Sequence, residues 1–270
     1  MEDMFSPANW HRVPGSCNVC GKRVVFSYET ESLRRGQLIC SKCGSISRYR
    51  SIARGLLKAI GELTGVQATS VKALKRARSR RPLTIYDTQV PFKFFQAAYT
   101  LPEHLSKVRW VELFTSRYDE FLPSGYLLGP NCSNENIEQL SFPDAFFDVV
   151  MTSDVMEHVR LADRAHAEIR RVLKPGGFYI FTVPFLADQY STRTLIQVRD
   201  PLDPLGDIVL RADYHEDGNA PGGRVAVYRE YGLDLIYELE ALGFTVNLYM
   251  TDHPELGIFN TELFYCRVGK

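Results

Sequence analysis

The 270-residue chain lacks any apolar run of the ~18–20 residues that a membrane-spanning helix needs. It also lacks an apolar segment near its start, which is acidic and reads Met1-Glu2-Asp3-Met4. These absences argue against a membrane protein and a secreted protein, so we expect a cytoplasmic protein with no membrane partner. The composition, 45% hydrophobic and 24% charged, excludes a disordered or fibrous chain.

A net charge is also absent, since 32 Lys and Arg balance 32 Asp and Glu, but the two signs are unevenly distributed. Residues 1–82 contain 16 basic and 5 acidic residues, whereas the remaining 188 residues contain 16 and 27. This asymmetry predicts two units. Two explanations stay open: the basic unit docks on the acidic unit, or it contacts an anionic partner.

Cysteine is scarce, yet four of the six cysteines form two pairs with the same spacing, Cys17-x-x-Cys20 and Cys40-x-x-Cys43. Two intervening residues let both thiolates of a tight turn face one metal ion, and Gly21 and Gly44 suit the positive φ of such turns. Residues 22–28 and 36–39 are predicted to form a short hairpin between the pairs. The pattern predicts a zinc ribbon over residues 1–46 with a structural Zn²⁺; disulfides or a redox pair are the alternative.

A basic segment, residues 47–81, follows the second cysteine pair. A helix is predicted over residues 45–60, with an apolar stripe of Ile52, Leu56 and Ile60. The run 72–81 then contains six basic residues. Two interpretations stay open for this run, a grip on RNA phosphates and a solvated surface. We treat residues 47–81 as a basic helical linker.

From residue 82 onward, short apolar runs alternate with helical stretches, which is typical of a mainly parallel sheet with crossover helices. The predicted strands are 83–86, 108–111, 147–151 and 178–183, the predicted helices are 161–173 and 231–242, and a closing antiparallel pair is predicted over 244–250 and 263–268. Asp87 and Glu112 directly follow the first two predicted strands. The pattern indicates an α/β domain over residues 82–270.

Two stretches of this domain carry a specific motif order. Residues 140–159 read Leu-Ser-Phe-Pro-Asp-Ala-Phe-Phe-Asp, then a predicted strand, then Glu-His-Val. Residues 170–184 contain Leu-Lys-Pro-Gly-Gly before another predicted strand. This order resembles class I S-adenosylmethionine-dependent methyltransferases of type 11. The resemblance implies a Rossmann-like doubly wound sheet, mostly parallel with an antiparallel edge strand, and S-adenosylmethionine as cofactor.

The resemblance also implies cofactor contacts from seven residues: Asp87, Thr88, Glu112, Asn136, Ile137, Ser153 and Asp154. In the family, an acidic residue after the second strand accepts hydrogen bonds from both ribose hydroxyls, and Glu112 takes that position. Asn136 takes the position that meets the adenine amino group, and Ile137 the position that covers the adenine face. A surface Glu and a turn-capping Asn are the structural alternatives for Glu112 and Asn136.

The turn after the first strand departs from the family's pattern. The family has a glycine-rich turn there, where missing side chains let the backbone approach the cofactor. Residues 87–95 contain no glycine, so the side chains of Thr88, Gln89 and Val90 crowd the usual path. Three alternatives stay open: the cofactor sits differently, binds weakly or no longer binds.

Two histidines have neighbours that suit acid–base chemistry. A hydroxyl acceptor needs a base, because methyl transfer to oxygen releases a proton. His158 follows Glu157 at the start of a predicted helix, and His215 lies in a polar insert beside Glu216 and Asp217. We predict Glu157, His158 and His215 as catalytic residues. Packing at a helix start and an ordinary loop position are the alternatives for the two histidines.

These patterns predict a methyltransferase that acts on a small-molecule, sugar or natural-product acceptor. One alternative is a methyltransferase fold that has lost methyl transfer and has a binding or scaffold role or another reaction. A second alternative is an RNA methyltransferase whose basic N-terminal third holds the RNA.

Overall fold

Three short strands form an N-terminal sheet that carries the cysteine pairs. The computed structural model describes residues 12–27, 38–89, 99–216 and 223–269. The strands of this sheet are β1 (Arg12–Ser16), β2 (Arg23–Ser27) and β3 (Ile39–Cys40), and both pairings are antiparallel. Gly21 and Gly44 have φ values of +70° and +72°, which confirms the turn conformation predicted at both cysteine pairs.

The rest of the described chain contains four α-helices and fourteen further strands. The helices are α1 (Ser47–Thr64), α2 (Leu101–Leu105), α3 (Ala162–Val172) and α4 (Asp234–Ala241). The strands before α4 are β4 (Leu83–Asp87), β5 (Val111–Arg117), β6 (Tyr126–Gly129), β7 (Cys132–Asn134), β8 (Phe147–Ser153), β9 (Leu173–Thr182), β10 (Arg193–Thr194), β11 (Ile196–Gln197), β12 (Ile208–Val209), β13 (Tyr214–Glu216), β14 (Arg224–Ala226) and β15 (Arg229–Glu230). The last two strands are β16 (Phe244–Tyr249) and β17 (Leu263–Val268).

Eight strands join in one mixed sheet, in the order β16-β17-β9-β8-β4-β5-β7-β6. Strands β7, β5, β4, β8 and β9 run parallel to one another. Strand β17 is antiparallel to β16 and β9, and β6 is antiparallel to β7. The predicted α/β fold, with a mostly parallel doubly wound sheet and a closing antiparallel pair, is confirmed.

The second predicted strand is wrong. Val108 does not begin a strand; it ends the turn after α2, where its N–H donates to the Leu105 carbonyl at 2.9 Å. Strand β5 begins at Val111 and continues to Arg117. Glu112 therefore lies near the amino end of β5, in register with Thr84 of β4, and not at the carboxyl end of the sheet.

One face of the sheet packs against α1 and the N-terminal sheet. The predicted stripe of Ile52, Leu56 and Ile60 is completely buried, and it shares one hydrophobic core with Phe26 of β2. At Gly55 a Cβ atom would lie only 2.9 Å from Ile180 Cγ2, so glycine lets α1 approach β9 closely. The proposed boundaries at residues 46 and 81 stay predictions, but α1 is an integral layer of the fold.

The opposite face of the sheet packs against α3 and α4. Ile169 of α3 and Leu235 of α4 are completely buried in a second core with Phe181 and Phe264 of the sheet. Because both faces are covered, the central strands carry side chains that are buried on both sides. Among the helices of the described residues, none has the length and hydropathy of a membrane span.

Basic side chains of the N-terminal third pair with acidic side chains of the rest of the chain. Arg48 lies 3.0 Å from Asp154, and Arg81 lies 2.7 Å from Asp148. An exposed salt bridge contributes little to stability. Here, however, the Asp148 side chain is almost completely buried and that of Asp154 is largely buried. Part of the basic charge of the N-terminal third therefore forms salt bridges with the acidic remainder of the same chain.

Candidate functional site

The four paired cysteines converge as the zinc-ribbon prediction requires. Cys17 Sγ lies 3.7 Å from Cys43 Sγ, and Cys20 Sγ lies 4.0 Å from Cys40 Sγ, so no disulfide joins them. Sulfur ligands about 2.3 Å from one tetrahedral Zn²⁺ are about 3.8 Å apart. The donor set and its spacing fit a zinc ion, and four sulfur ligands leave no open position for a substrate.

A buried arginine beside this cluster gives independent support for negative charge there. The Arg50 side chain is completely buried, and it donates to the Gly257 carbonyl at 2.6 Å as well as to backbone carbonyls of Leu38 and Ser45. Burial lowers the pKa of Arg50 to about 10, and the attraction of the cysteine cluster opposes that change. A buried cation needs nearby negative charge, which deprotonated thiols of the cysteine cluster would supply.

The second candidate region is the carboxyl edge of the main sheet. After β4, the chain first builds β5 and β7 on one side and then returns to build β8 and β9 on the other. The strand order therefore reverses between β4 and β8. We call this place the switch point, and open α/β sheets bind ligands beyond the strand ends there. Asp87 ends β4 and Ser153 ends β8, two residues beyond the predicted strand 147–151, so both predicted cofactor-binding residues lie at this edge.

Asp87 is completely buried at this edge and is held from two sides. Its carboxylate accepts hydrogen bonds from the Tyr99 hydroxyl and, at 3.1 Å, from the backbone N–H of Gln89. Burial raises the pKa of Asp87 to about 7, although both hydrogen bonds favour the charged form. Thr88 is half-buried beside it, and its N–H donates to the Met151 carbonyl at 3.2 Å.

The altered turn after β4 is tied to the end of β8. Gln89 Nε2 donates to the Ser153 carbonyl at 2.8 Å, so this side chain spans the switch point. The prediction that Val90 crowds the cofactor's path falls on residues 90–98, which lie outside the described residues.

Asp154 links the end of β8 to helix α1. It has a φ of +50°, its Oδ1 accepts from the Thr182 hydroxyl at 2.8 Å, and its Oδ2 accepts from Arg48 at 3.0 Å. Although burial opposes it, attraction by Asp154 raises the pKa of Arg48. Helix α1 therefore contributes a charged side chain to the same edge as Asp87 and Ser153.

The structure brings together the three predicted catalytic residues. Glu157 and His158 lie in a 3-10 helix, Met156–His158, directly after β8, and His215 reaches them from β13. His158 Nε2 lies 3.2 Å from His215 Nδ1 and 3.5 Å from Glu157 Oε1. His215 Nδ1 lies 3.9 Å from Glu157 Oε1. The Glu157 side chain is completely buried, whereas that of His215 is 42% exposed.

The segment before α4 fixes the turn that carries Glu157 and His158. The Arg229 guanidinium donates to the carbonyls of Val159 at 2.6 Å and Arg160 at 2.9 Å. The Ala226 carbonyl accepts from His158 Nδ1 at 2.8 Å. The turn is thus held by hydrogen bonds, and the histidine ring is oriented by one of them.

Asn136 and Ile137 lie beside a cleft at the carboxyl ends of β5 and β7. The cleft has a volume of about 480 Å³, and it is lined by Tyr118, Glu120, Leu122, Ser124, Asn136, Gln139, Leu140 and Ser141. The Asn136 Oδ1 accepts from the Glu138 N–H at 3.0 Å, so Asn136 caps a turn at the cleft wall. Ile137 is half-buried and packs against the second core.

Glu112 does not meet these residues. It is exposed near the amino end of β5, whereas Arg117 at the carboxyl end is in register with Asn134 of β7. The expectation that Glu112 ends the second strand is therefore wrong. Glu120 is the acidic residue that follows β5 and lines the cleft.

Three side chains at this edge were missed by the sequence interpretation. Arg48 lies off the apolar stripe of α1, which was the one available signal for a role outside the core. Tyr99 packs on Tyr49 with ring centroids 4.4 Å apart and carries the hydroxyl that bonds Asp87. Arg229 reaches its acceptors 69 and 70 residues away, and nothing local indicates that contact.

Solved structures with a similar arrangement exist at low sequence identity. An S-adenosylmethionine-dependent methyltransferase from Mesorhizobium loti is 16% identical, with a TM-score of 0.44, covering 72% of this chain and 95% of that chain. A second, from Aquifex aeolicus, is 15% identical, with a TM-score of 0.41, covering 81% and 97%.

Curated relatives match shorter stretches at higher identity. Dimethylglycine N-methyltransferase of Parasynechococcus marenigrum is 33% identical over 95 residues, which cover 35% of this chain and 34% of the relative. The ubiquinone/menaquinone biosynthesis C-methyltransferase UbiE of Ralstonia nicotianae is 44% identical over 59 residues, covering 22% and 24%. The chain thus matches about a third or less of the length of these relatives.

One family model also matches the chain. Its description is methyltransferase domain, and it matches residues 115–181, from the middle of β5 almost to the end of β9. This stretch contains both segments on which the sequence resemblance was based, apart from the last three residues of the second. The resemblance to class I S-adenosylmethionine-dependent methyltransferases is confirmed, and residues 115–181 match the model of a methyltransferase domain.

Proposed function

We propose that the protein is an S-adenosylmethionine-dependent methyltransferase that acts on a small-molecule, sugar or natural-product acceptor. The proposal rests on one observation: several polar residues of the segment that matches the methyltransferase domain, residues 115–181, lie together near the switch point. That segment supplies Asn136, Ser153, Asp154, Glu157 and His158 to the carboxyl edge of the sheet. The relatives named for dimethylglycine and for ubiquinone or menaquinone biosynthesis favour a small acceptor over a macromolecule.

The cleft beside β5 and β7 fits the adenosine part of the cofactor. Its lining combines an acidic, an amide and an aromatic side chain, which are those of Glu120, Asn136 and Tyr118. Two carboxylate oxygens suit a vicinal diol, and an amide suits the adenine edge. We therefore assign the acidic ribose contact implied by the resemblance to Glu120 in place of Glu112. Ile137 follows Asn136 but is not among the residues that line the cleft, so its contact with the adenine face stays a prediction.

The methionine part of the cofactor then extends toward the switch point. Strand β4 is the neighbour of β5, and its last residue Asp87 is in register with Thr115, so the cleft and the switch point share one edge. We propose that Asp87 and Thr88 with Ser153 and Asp154 border the bound cofactor there. When bound, S-adenosylmethionine supplies an activated methyl group, and the chain's task is to align the acceptor with it.

For a hydroxyl acceptor, His158 and His215 are the proposed bases. Because His158 Nδ1 donates to the Ala226 carbonyl, its Nε2 carries the lone pair in the neutral ring. That nitrogen faces His215 and Glu157, and the carboxylate beside it stabilises the imidazolium that forms when a proton is taken. The three side chains thus form a unit that accepts one proton at the sheet edge.

For the cysteine cluster we propose a structural zinc ion. The cluster, Phe26 and α1 share one core, so metal binding stabilises the layer that carries Arg48. The ribbon's contribution to catalysis is then indirect, through the position of α1 and its contact with Asp154.

One observation favours a second candidate, a methyltransferase fold without methyl transfer. In the glycine-free turn, the Gln89 side chain reaches across the switch point and donates to the Ser153 carbonyl. The Tyr99 hydroxyl donates to the Asp87 carboxylate. If this arrangement persists, the cofactor's usual path after β4 stays filled. The RNA alternative has less support, because Arg48, Arg50 and Arg81 are engaged within the chain.

Titration calorimetry of the zinc-loaded protein with S-adenosylmethionine and S-adenosylhomocysteine tests the proposal. Micromolar binding, followed by transfer of labelled methyl groups to a small acceptor, supports a methyltransferase. Absence of binding at high ligand concentration, with an unchanged melting temperature, supports the second candidate. Binding to RNA that weakens steeply with salt supports the RNA alternative.

A further inference from the structure

Glu157, His158 and His215 have the composition and spacing of a transition-metal site. The potential ligand atoms, Glu157 Oε1, His158 Nε2 and His215 Nδ1, are separated by 3.2, 3.5 and 3.9 Å. Nitrogen and oxygen ligands about 2.1 Å from one tetrahedral ion are about 3.4 Å apart. The triangle is therefore the right size for a single ion, without rearrangement of the three side chains.

The second ring nitrogen of His158 is bonded as metal-binding histidines require. His158 Nδ1 donates to the Ala226 carbonyl at 2.8 Å, which makes Nε2, 3.2 Å from His215 Nδ1 and 3.5 Å from Glu157 Oε1, the nitrogen that carries the lone pair. A backbone carbonyl on the other ring nitrogen is a typical outer contact of a metal-ligating histidine, because it fixes the tautomer and the ring orientation. Arg229 adds rigidity by binding the carbonyls that follow His158.

The two histidine nitrogens face each other at 3.2 Å, which restricts their protonation. With His158 Nδ1 protonated, the pair is either an N–H···N hydrogen bond donated by one of the two rings or two lone pairs directed at a shared cation. The completely buried carboxylate of Glu157 favours a positive charge here, because its oxygen lies 3.5 and 3.9 Å from the two nitrogens, and a metal ion supplies that charge. The observed geometry thus suits a positive ion between the three groups.

We propose that Glu157, His158 and His215 bind one divalent transition-metal ion, of the class of Zn²⁺, Fe²⁺, Co²⁺ or Mn²⁺. Two imidazoles and one carboxylate favour these ions over Ca²⁺ and Mg²⁺, which prefer oxygen ligands. Unlike the four-cysteine cluster, three protein ligands leave coordination positions open. The site is thus distinct from the ribbon in donor set, coordination number and position in the fold.

The position of the proposed ion suggests its use. It lies directly after β8, at the edge where the acceptor is expected, and a hydroxyl bound to a divalent cation loses its proton more readily. With the ion bound, His158 Nε2 and His215 Nδ1 are ligands, so the ion replaces the role of the two histidines as bases. This role in acceptor binding rests on the proposed methyltransferase function, whereas the metal site itself does not. The acceptor class favoured by such a site carries a hydroxyl or a vicinal diol.

The experiment uses the full chain loaded with one equivalent of Zn²⁺, so that the ribbon is filled, and titrates it with Co²⁺. We expect one further Co²⁺ per chain, with visible d–d absorption and without the near-ultraviolet band of cobalt–thiolate bonds. His215→Ala, on a partly exposed hairpin, is expected to weaken Co²⁺ binding at least about tenfold, and Glu157→Gln to do the same.

His253→Ala is the matched control, since His253 also pairs with a glutamate, Glu255, at 3.1 Å but lies outside the cluster. It should bind Co²⁺ as the unaltered chain does, and circular dichroism should show all three variants folded. The proposal is overturned if no second ion binds, if cobalt appears only on thiolates, or if folded His215→Ala titrates like the control. Calorimetry with S-adenosylmethionine on the same samples separates failure of this site from failure of the proposed function.

Discussion

The guanidinium of Arg48 lies 3.0 Å from the carboxylate of Asp154, across 106 positions of sequence. Arg48 belongs to the helix after the cysteine pairs, and Asp154 directly follows the strand that ends at the switch point. The contact therefore connects the zinc-ribbon region to the edge where we place the cofactor. It gives the N-terminal region a structural role in the site that requires no partner.

Replacing Arg48 tests whether this connection matters to stability. Arg48→Ala removes the guanidinium that lies beside the largely buried Asp154 carboxylate, so we expect the free energy of unfolding to fall by about 1–3 kcal/mol. Urea denaturation at pH 7 measures the change. Lys58→Ala on the same helix removes a more exposed pair with Glu62 and should cost less than about 1 kcal/mol. Equal effects of the two substitutions would argue against the connection.

Asp87 predicts an unusual dependence of stability on pH. Burial raises its pKa from 3.8 to about 7, so the folded chain binds more protons than the unfolded chain between these values. The contribution of Asp87 to stability is then largest below pH 4 and is lost as the pH rises to about 7. Relative to Asp87→Asn, the unaltered chain should lose on the order of 4 kcal/mol over this range.

The Asp148 carboxylate provides the opposite case in the same sheet. Burial alone would raise the pKa of Asp148, but hydrogen bonds from Lys174 and Thr84 lower it. The contribution of Asp148 to the stability of the fold is therefore lost as the pH falls below about 4. Differences between the unaltered chain and Asp148→Asn should therefore have the opposite slope. If the two stability differences instead changed with pH in the same direction, Asp87 would be charged throughout, and its raised pKa would be contradicted.

Loss of zinc should destabilise the fold beyond the ribbon. Because Cys17 and Phe26 share a core with Ile52 of α1, removing the ion by chelation should lower the melting temperature of the main cooperative transition. Cys20→Ser should remove one zinc equivalent and have the same effect, measured by metal analysis and calorimetry. Cys132→Ser, outside the cluster, should retain zinc. A separate ribbon transition with an unchanged main transition would contradict this account.

The sequence predicted well those elements whose pattern is strong and local. Helix α3 was expected over 161–173 and spans Ala162–Val172, and β17 has the predicted bounds. The cysteine spacing predicted the convergence of four thiols, because two tight turns determine it. The buried strand β8 was also predictable, since Phe147 and Val149–Met151 form a short apolar segment broken only by Asp148.

The acidic position after β5 and the contact between His158 and His215 depend on tertiary contacts that local sequence patterns do not contain. Four of the seven residues of β5 are polar, namely Glu112, Thr115, Ser116 and Arg117. The stretch 108–111 before it was therefore taken for the strand, and the acidic position was misplaced. The pair His158 and His215 was proposed residue by residue, but their contact depends on the hairpin of β13 and β14. Tertiary pairing, not propensity, decides both cases.

Cofactor binding at the corrected acidic position tests the central claim most directly. We would titrate the zinc-loaded chain with S-adenosylhomocysteine by calorimetry and compare Glu120→Ala with Glu112→Ala. We predict micromolar affinity for the unaltered chain. Glu120→Ala should weaken it by roughly tenfold or more, because it removes charged hydrogen bonds of about 1.5–3 kcal/mol, whereas Glu112→Ala should leave it unchanged. Equal affinity for both variants, or no binding by the unaltered chain, would contradict it.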